Sequence, residues 1–279
     1  MSRRGHSTAL LTALLAVLIT AIGMFASARA AEPAAPKTYR VLFVGNSLTY
    51  VNDLPAMVRA LGAAQAVPVR FETQTFVAPG GSLAERWKDG AAAKALGQGH
   101  WDAIVLQERG GLMACMVDQE LRSGTECRLS DRAHREFAAR AQAAGARTLL
   151  LATWGPDDAW QAKLDRAAKQ MAARIDAEIV PSGATLRRYA SKHGDKDTFP
   201  DTVHPSLPAT LIMAAQVYRA VVGSEAQAGD VTIDFALLPP RAAIKADAPM
   251  EAQPQLKGDG KTLVLAASAV APLLAEAKP

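Results

Sequence analysis

The chain has 279 residues, 49% of them hydrophobic and 21% charged, with 58 alanines and 5% aromatics. That length is enough for one large domain with a sizeable core, and the composition excludes collagen-like, disulfide-dense and wholly disordered classes. The formal net charge of +4 would point to acidic partners only if the excess lay in the working part of the chain.

Much of the excess lies at the start. Residues 1–30 read as a secretory signal: Arg3 and Arg4 form a basic opening, Thr8 to Phe25 is a near-continuous apolar run, and Ala28-Arg29-Ala30 supplies small residues for cleavage. An uncleaved anchor is the alternative, because the run is about as long as a spanning helix. The loop-like Ala31-Glu32-Pro33-Ala34-Ala35-Pro36 favours cleavage, and residues 31–37 read as a linker. Without Arg3, Arg4 and Arg29 the chain carries 28 basic against 27 acidic residues. The expectation is a near-neutral protein exported to the periplasm or beyond, with no membrane contact after cleavage and no sign of its oligomeric state.

From Thr38 short apolar runs alternate with amphipathic stretches. Tyr39 to Val44 predicts a buried strand ended by Gly45. Leu54 to Ala66 predicts a helix with Asp53 as N-cap and Pro55 in its first turn. Val69 to Val77 reads as a strand, Leu83 to Leu96 as a helix, and Ala103 to Leu106 as a short buried strand. A polar segment, Glu108 to Leu129, follows. A helix is expected from Ser130 or Asp131 to Ala144, closed by Gly145. Thr148 to Ala152 is a strand, Asp158 to Ala177 a helix, Glu178 to Val180 a strand, and Leu207 to Val222 the last clear helix. Strands separated by such helices predict a three-layer α/β/α domain on a flavodoxin-like, parallel five-stranded sheet, over residues 38–224. Residues 225–279 read as an extension of that domain, extended over Ala236 to Lys257, with a short helix over Leu263 to Glu276.

Two cysteines, Cys115 and Cys127, lie in the polar segment. In an exported protein they are expected to pair; two free thiols are the alternative. They are too few for a zinc site. The segment leaves the C-terminal edge of the sheet, and a stapled lid or wall shaping substrate choice is expected there.

Ligands of doubly wound sheets bind beyond the carboxyl ends of the strands. After the first strand comes Gly45-Asn46-Ser47-Leu48-Thr49. A serine hydroxyl needs a base to become a nucleophile. Four histidines follow the signal. His134 lies in a helical pattern and is expected at the surface. His100 stands at the wrong edge of the sheet, and His193 in a solvated, lysine-rich stretch. His204 stands directly before the last helix, with Asp201 three residues earlier, close enough to orient an imidazole.

Together, Gly45-Asn46-Ser47-Leu48-Thr49, Gly80-Gly81 after the second strand, and Asp201-x-x-His204-Pro205 resemble the SGNH (GDSL-type) hydrolases. Asn52-Asp53-Leu54-Pro55 and Leu106-Gln107-Glu108 are similar to the branch reading GNS-[FL]-T. The resemblance spans about Arg40 to Val222. It implies Ser47 as nucleophile, His204 as general base and acid, and Asp201 as its partner. It also implies an oxyanion hole from the backbone N–H groups of Ser47 and Gly81, with Gly80 as the neighbouring candidate. Three positions depart from the family. Asn46 replaces an aspartate, Pro208-Ala209 replaces a common glycine after H-P-S, and the G-x-N-D block that supplies a third donor is missing. Gln107 occupies the corresponding strand end, either as that donor or as a polar strand cap. Trp154, Glu108 and Asn46 are candidate substrate contacts, against the alternative that Trp154 only packs and Glu108 is solvated. The resemblance implies ester hydrolysis through an acyl-enzyme, on acylated sugars or lipids, with neither metal nor cofactor. The aromatic-poor chain favours short acyl groups on carbohydrate. An envelope-glycan acyltransferase and a non-catalytic glycan-binding module are the rivals. Nucleic-acid binding has no support in the pattern.

Overall fold

The computed structural model describes residues 36–278. The expected signal, residues 1–30, lies outside them, as does most of the expected linker.

Five parallel strands form the central sheet: β1 (Thr38–Gly45), β2 (Arg70–Val77), β3 (Ala103–Leu106), β4 (Arg147–Leu151) and β5 (Ala177–Val180). Their spatial order is β2-β1-β3-β4-β5. The chain steps outward from β1 to β2, then returns past β1 to β3. The crevice at the carboxyl end between β1 and β3 is therefore the switch point where such sheets bind ligands.

Helices cover both faces. On one face lie α1 (Ser47–Tyr50), α2 (Leu54–Ala63) and, further along the chain, three helices described below. On the other lie α3 (Leu83–Asp89), α4 (Ala91–Gln98), α5 (Gly110–Ala114), α6 (Thr125–Ala143) and α7 (Asp158–Ile175). The first face is completed by α8 (Ser182–His193) and α10 (Leu207–Val222), with the short α9 (Asp195–Thr198) between them. Each β1 residue serves one layer by its parity. Val41 and Phe43 enter the α2/α10 core, while Leu42 and Val44 enter the α3/α6/α7 core.

Several boundaries differ from expectation. The helix expected over Leu83 to Leu96 is two, because Gly90 takes a left-handed φ of 75° and breaks it. Helix α6 begins at Thr125, well before Ser130. Its buried stripe carries Cys127, Ser130 and His134 as well as Phe137, so its first turns read as polar. His134 is fully buried, not at the surface. Helix α8 has no apolar period in the sequence, because Ser182, Gly183 and Thr185 share its buried face with Leu186 and Tyr189.

Beyond α10 the chain stays on the domain. Strands β6 (Val231–Ile233) and β7 (Leu263–Leu265) pair antiparallel, and α11 (Ala267–Glu276) packs on the α2/α10 side. Between them residues 236–256 form a strap along the β2 edge. Glu251 of the strap accepts hydrogen bonds from Thr73 Oγ1 (2.8 Å), Thr75 N–H (2.9 Å) and Thr75 Oγ1 (2.8 Å) on β2. A bare edge strand is a template for pairing with other chains, and this contact covers it.

Cys115 and Cys127 are joined, with their Cα atoms 6.0 Å apart. A loop this short gives about 3 kcal/mol on the chain-entropy account.

Candidate functional site

Ser47 lies where β1 turns into α1. Asn46 is the N-cap and its Oδ1 accepts from Leu48 N–H (3.0 Å). Gly45 permits the turn, because a Cβ there would sit 2.6 Å from Thr49 Oγ1 and 2.7 Å from Gln107 Oε1. Ser47 is the first residue of the helix, so its N–H has no intrahelical acceptor.

His204 arrives from the loop before α10. Its Nε2 lies 2.9 Å from Ser47 Oγ and its Nδ1 lies 2.7 Å from Asp201 Oδ2. Asp201 Oδ1 accepts from the backbone N–H of Val203 (3.1 Å) and of His204 (2.7 Å). Burial raises the Asp201 pKa, but these backbone bonds and the imidazole contact outweigh it and hold the carboxyl below its ordinary value. An ionised Asp201 only accepts, so the proton sits on Nδ1 and Nε2 is free to accept from the Ser47 hydroxyl. The loop is tight: Thr202 has a φ of 70°, unusual for a β-branched residue.

Gln107 has a different position from that expected of an oxyanion donor. Its Oε1 accepts from Asn46 N–H (3.0 Å) and Thr49 Oγ1 (3.0 Å), and its Nε2 donates to Glu108 O (2.9 Å). The Asn46 N–H can only donate, which fixes the amide orientation. The oxygen, not the nitrogen, therefore faces the Ser47 turn, and Gln107 braces that turn from β3.

Gly81 also differs. Its N–H donates to Ala78 O (3.1 Å), closing the turn Ala78-Pro79-Gly80-Gly81, and its carbonyl accepts from Asn46 Nδ2 (2.9 Å). Gly80, with φ 63°, is the exposed corner of that turn, and its N–H has no partner among the described residues. Asn46 therefore ties the two turns together with both ends of its side chain and is 2% exposed.

Glu108 is buried rather than solvated. It accepts from Leu83 N–H (3.1 Å), Arg109 N–H (2.7 Å) and Ser130 Oγ (2.6 Å). Burial raises its pKa against these bonds. It joins the first residue of α3 and the second turn of α6 to the chain leaving β3. Trp154, after β4, donates from Nε1 to Val203 O (2.8 Å) and stacks on Phe199 at 5.4 Å. It holds the loop that carries Asp201 and His204.

Asn52, in the Asn52-Asp53-Leu54-Pro55 motif, has a positioning contact that the motif alone does not reveal. Its Nδ2 donates to Pro205 O (2.9 Å) and Thr210 Oγ1 (3.1 Å), joining the end of α1 to the His204 loop. Asn52 and Asp53 both take left-handed φ values, 57° and 52°. Consecutive Asn-Asp, the types that tolerate that region, was the available signal. His100 and His193 are exposed and apart from this site. Among the described residues no cluster of three or more His, Cys, Asp or Glu side chains could hold a metal ion, and no helix is long and apolar enough to cross a membrane.

No family model matches the chain, and no curated protein matches it. Solved structures do. A protein of Slackia heliotrinireducens assigned to the SGNH hydrolases is 23% identical, with a TM-score of 0.53 over 67% of this chain and 100% of that one. An acetylxylan esterase from Geobacillus stearothermophilus is 16% identical, with a TM-score of 0.52 over 67% of this chain and 95% of that one. Catalytic mutants of that esterase alter a serine, an aspartate and a histidine, the last two three positions apart. A protein of Parabacteroides merdae assigned as a GDSL-like lipase is 14% identical, with a TM-score of 0.50 over 67% and 97%. At these identities the likeness is one of fold: the chain has the fold of the SGNH hydrolases.

Proposed function

We propose that the chain is an exported serine ester hydrolase that removes short acyl groups from carbohydrate through an acyl-enzyme. The observation that carries this reading is the continuous path from Ser47 Oγ through His204 (2.9 Å) to Asp201 (2.7 Å) at the switch point of the sheet. The likeness to an acetylxylan esterase supports a carbohydrate ester, and the Cys115–Cys127 bridge supports an oxidising compartment.

In this reading Ser47 Oγ attacks the ester carbonyl while its proton passes to His204 Nε2. Asp201 stabilises the imidazolium and keeps the ring oriented. The tetrahedral oxyanion forms against the N–H groups of Ser47 and Gly80, each donor being worth about 10²–10³ in rate. Collapse of that intermediate expels the alcohol, which takes the proton held on Nε2. A water then attacks the acyl-enzyme, giving its proton to Nε2, and Ser47 Oγ recovers it as the acid leaves.

The test is a panel of acetyl, butyryl and long-chain esters with added sugar acceptors, run on wild type and Ser47→Ala. The reading expects acetyl esters to be hydrolysed fastest and the Ser47→Ala rate to fall by at least about 10⁴-fold. Acyl groups recovered on the added sugar instead of in water would make the protein a transferase. Equal rates in the two proteins would overturn the reading.

A further inference from the structure

Deepening the hydrolase reading above, on which it rests, we infer that the C-terminal strap builds the subsite for the alcohol half of the ester, a cavity for a single sugar ring. A cavity of about 360 Å³ is bounded on one side by Asp201 and His204 and on the other by Leu237, Leu238, Pro239 and Pro240. Val51 and Asn52, just after the nucleophile helix, complete it.

His204, which lines the cavity, links it to the reaction. The leaving oxygen takes its proton from His204 Nε2, so the group attached to that oxygen must lie beside the imidazole. The volume is at the low end for ligand pockets and is enough for one ring. The wall is leucine and proline carbon, which suits the C–H face of a sugar. Asn52, Asp201 and Ser206 give the cavity a polar margin for its hydroxyls.

The strap is a built wall tied to the helix that carries Ser47. Asn52 N–H donates to Leu238 O (3.0 Å), and the Tyr50 hydroxyl donates to Pro240 O. Leu238 packs with Tyr50, Val51 and Val77 in a small separate core, and Glu251 pins the far end to β2. Two successive prolines fix the backbone where it passes the cavity. Leu237 is 40% exposed, so it can be changed without disturbing that core.

The experiment measures kcat/KM of the full chain for methyl acetate, a mono-acetylated monosaccharide and an acetylated oligosaccharide. It compares wild type with Leu237→Trp, which fills the cavity, and Leu237→Ala, which opens it, each checked by thermal melting. The ratio of monosaccharide acetate to methyl acetate is expected to fall at least ~10-fold in Leu237→Trp, chiefly through KM, and less in Leu237→Ala. Ratios unchanged in both variants would overturn the subsite. So would a wild type that cleaves methyl acetate with no preference for the ring acetate, while the hydrolase reading stood. A wild type that cleaves no acetate would overturn the hydrolase reading and the subsite with it.

Discussion

The two halves of the candidate site are held by different means. The Ser47 turn is anchored from beneath by buried partners on two other segments, Gln107 after β3 and Gly81 after β2, and by its own N-cap Asn46. The Asp201–His204 loop lies at the surface. It is held by its own aspartate, by the Trp154 indole on Val203 and by Asn52 on Pro205. In the proposed reaction the nucleophile is presented in one geometry, which a turn set in the core suits. The proposed acid–base group accepts a proton and releases it past a departing alcohol, which a local, half-exposed support suits. Changes beneath Ser47 should therefore cost stability first, and changes around His204 should cost rate first.

The largest expected effect falls on the loop. Asp201→Asn keeps the shape but disfavours the proton on Nδ1, and kcat should drop by about 10²–10⁴-fold with little change in melting temperature. Equal losses of rate and stability would break the contrast.

On the core side, pH is the sharper tool. Burial pushes the His134 pKa down to about 4, against opposing contributions from Ser130 O and Asp131. Its Nδ1 donates to Ser130 O (2.8 Å), and Ser130 Oγ holds Glu108, so the imidazole supports the rim from behind. The unfolded imidazole takes a proton near pH 6.5, whereas the folded one resists until about 4. Its contribution is thus fully present above 6.5 and is lost as pH falls toward 4. Glu108, raised by burial, works in the opposite sense, so the comparison is between proteins. Wild type should lose up to about 3 kcal/mol more than His134→Gln across that window, measured by urea unfolding. Parallel pH curves would remove His134 from the account.

Gln107→Leu should lower stability by about 1–3 kcal/mol, because the Asn46 N–H and Thr49 hydroxyl lose their buried acceptor. A direct oxyanion donor would instead show about 10²-fold lower kcat with an unchanged melt. The smallest effect is at Trp154. Trp154→Phe keeps an aromatic ring against Phe199 and deletes the donor to Val203 O. It should cost about 1 kcal/mol and a several-fold drop in kcat with KM unchanged.

These contrasts also explain what was legible in the sequence. Ala103 to Leu106 and Leu207 to Val222 are legible at their true bounds, because their burial is continuous and almost entirely apolar, with Thr210 and Gln216 the polar exceptions in the helix. Helix α8 and the first turns of α6 were hidden because serine, threonine, glycine, cysteine and histidine fill their buried faces. In the site, Ser47, Asp201 and His204 were visible because each stands at a strand end or loop with a motif around it. The roles of Gln107, Asn46, Glu108 and Trp154 were not. A polar side chain at a strand end reads alike whether it faces substrate or a backbone amide, and only the fold supplies the partner. The single-domain expectation for residues 225–279 came without a task for them, since hydropathy does not reveal that Leu237 to Pro240 border His204.

The account stands on Ser47 being an activated nucleophile. Folded protein treated with a serine-reactive phosphonate, digested and read by mass spectrometry, tests this directly. The account predicts one adduct on Ser47, absent in Ser47→Ala and strongly slowed in Asp201→Asn. An unlabelled Ser47 in folded wild type, or labelling that persists in Ser47→Ala, would contradict it.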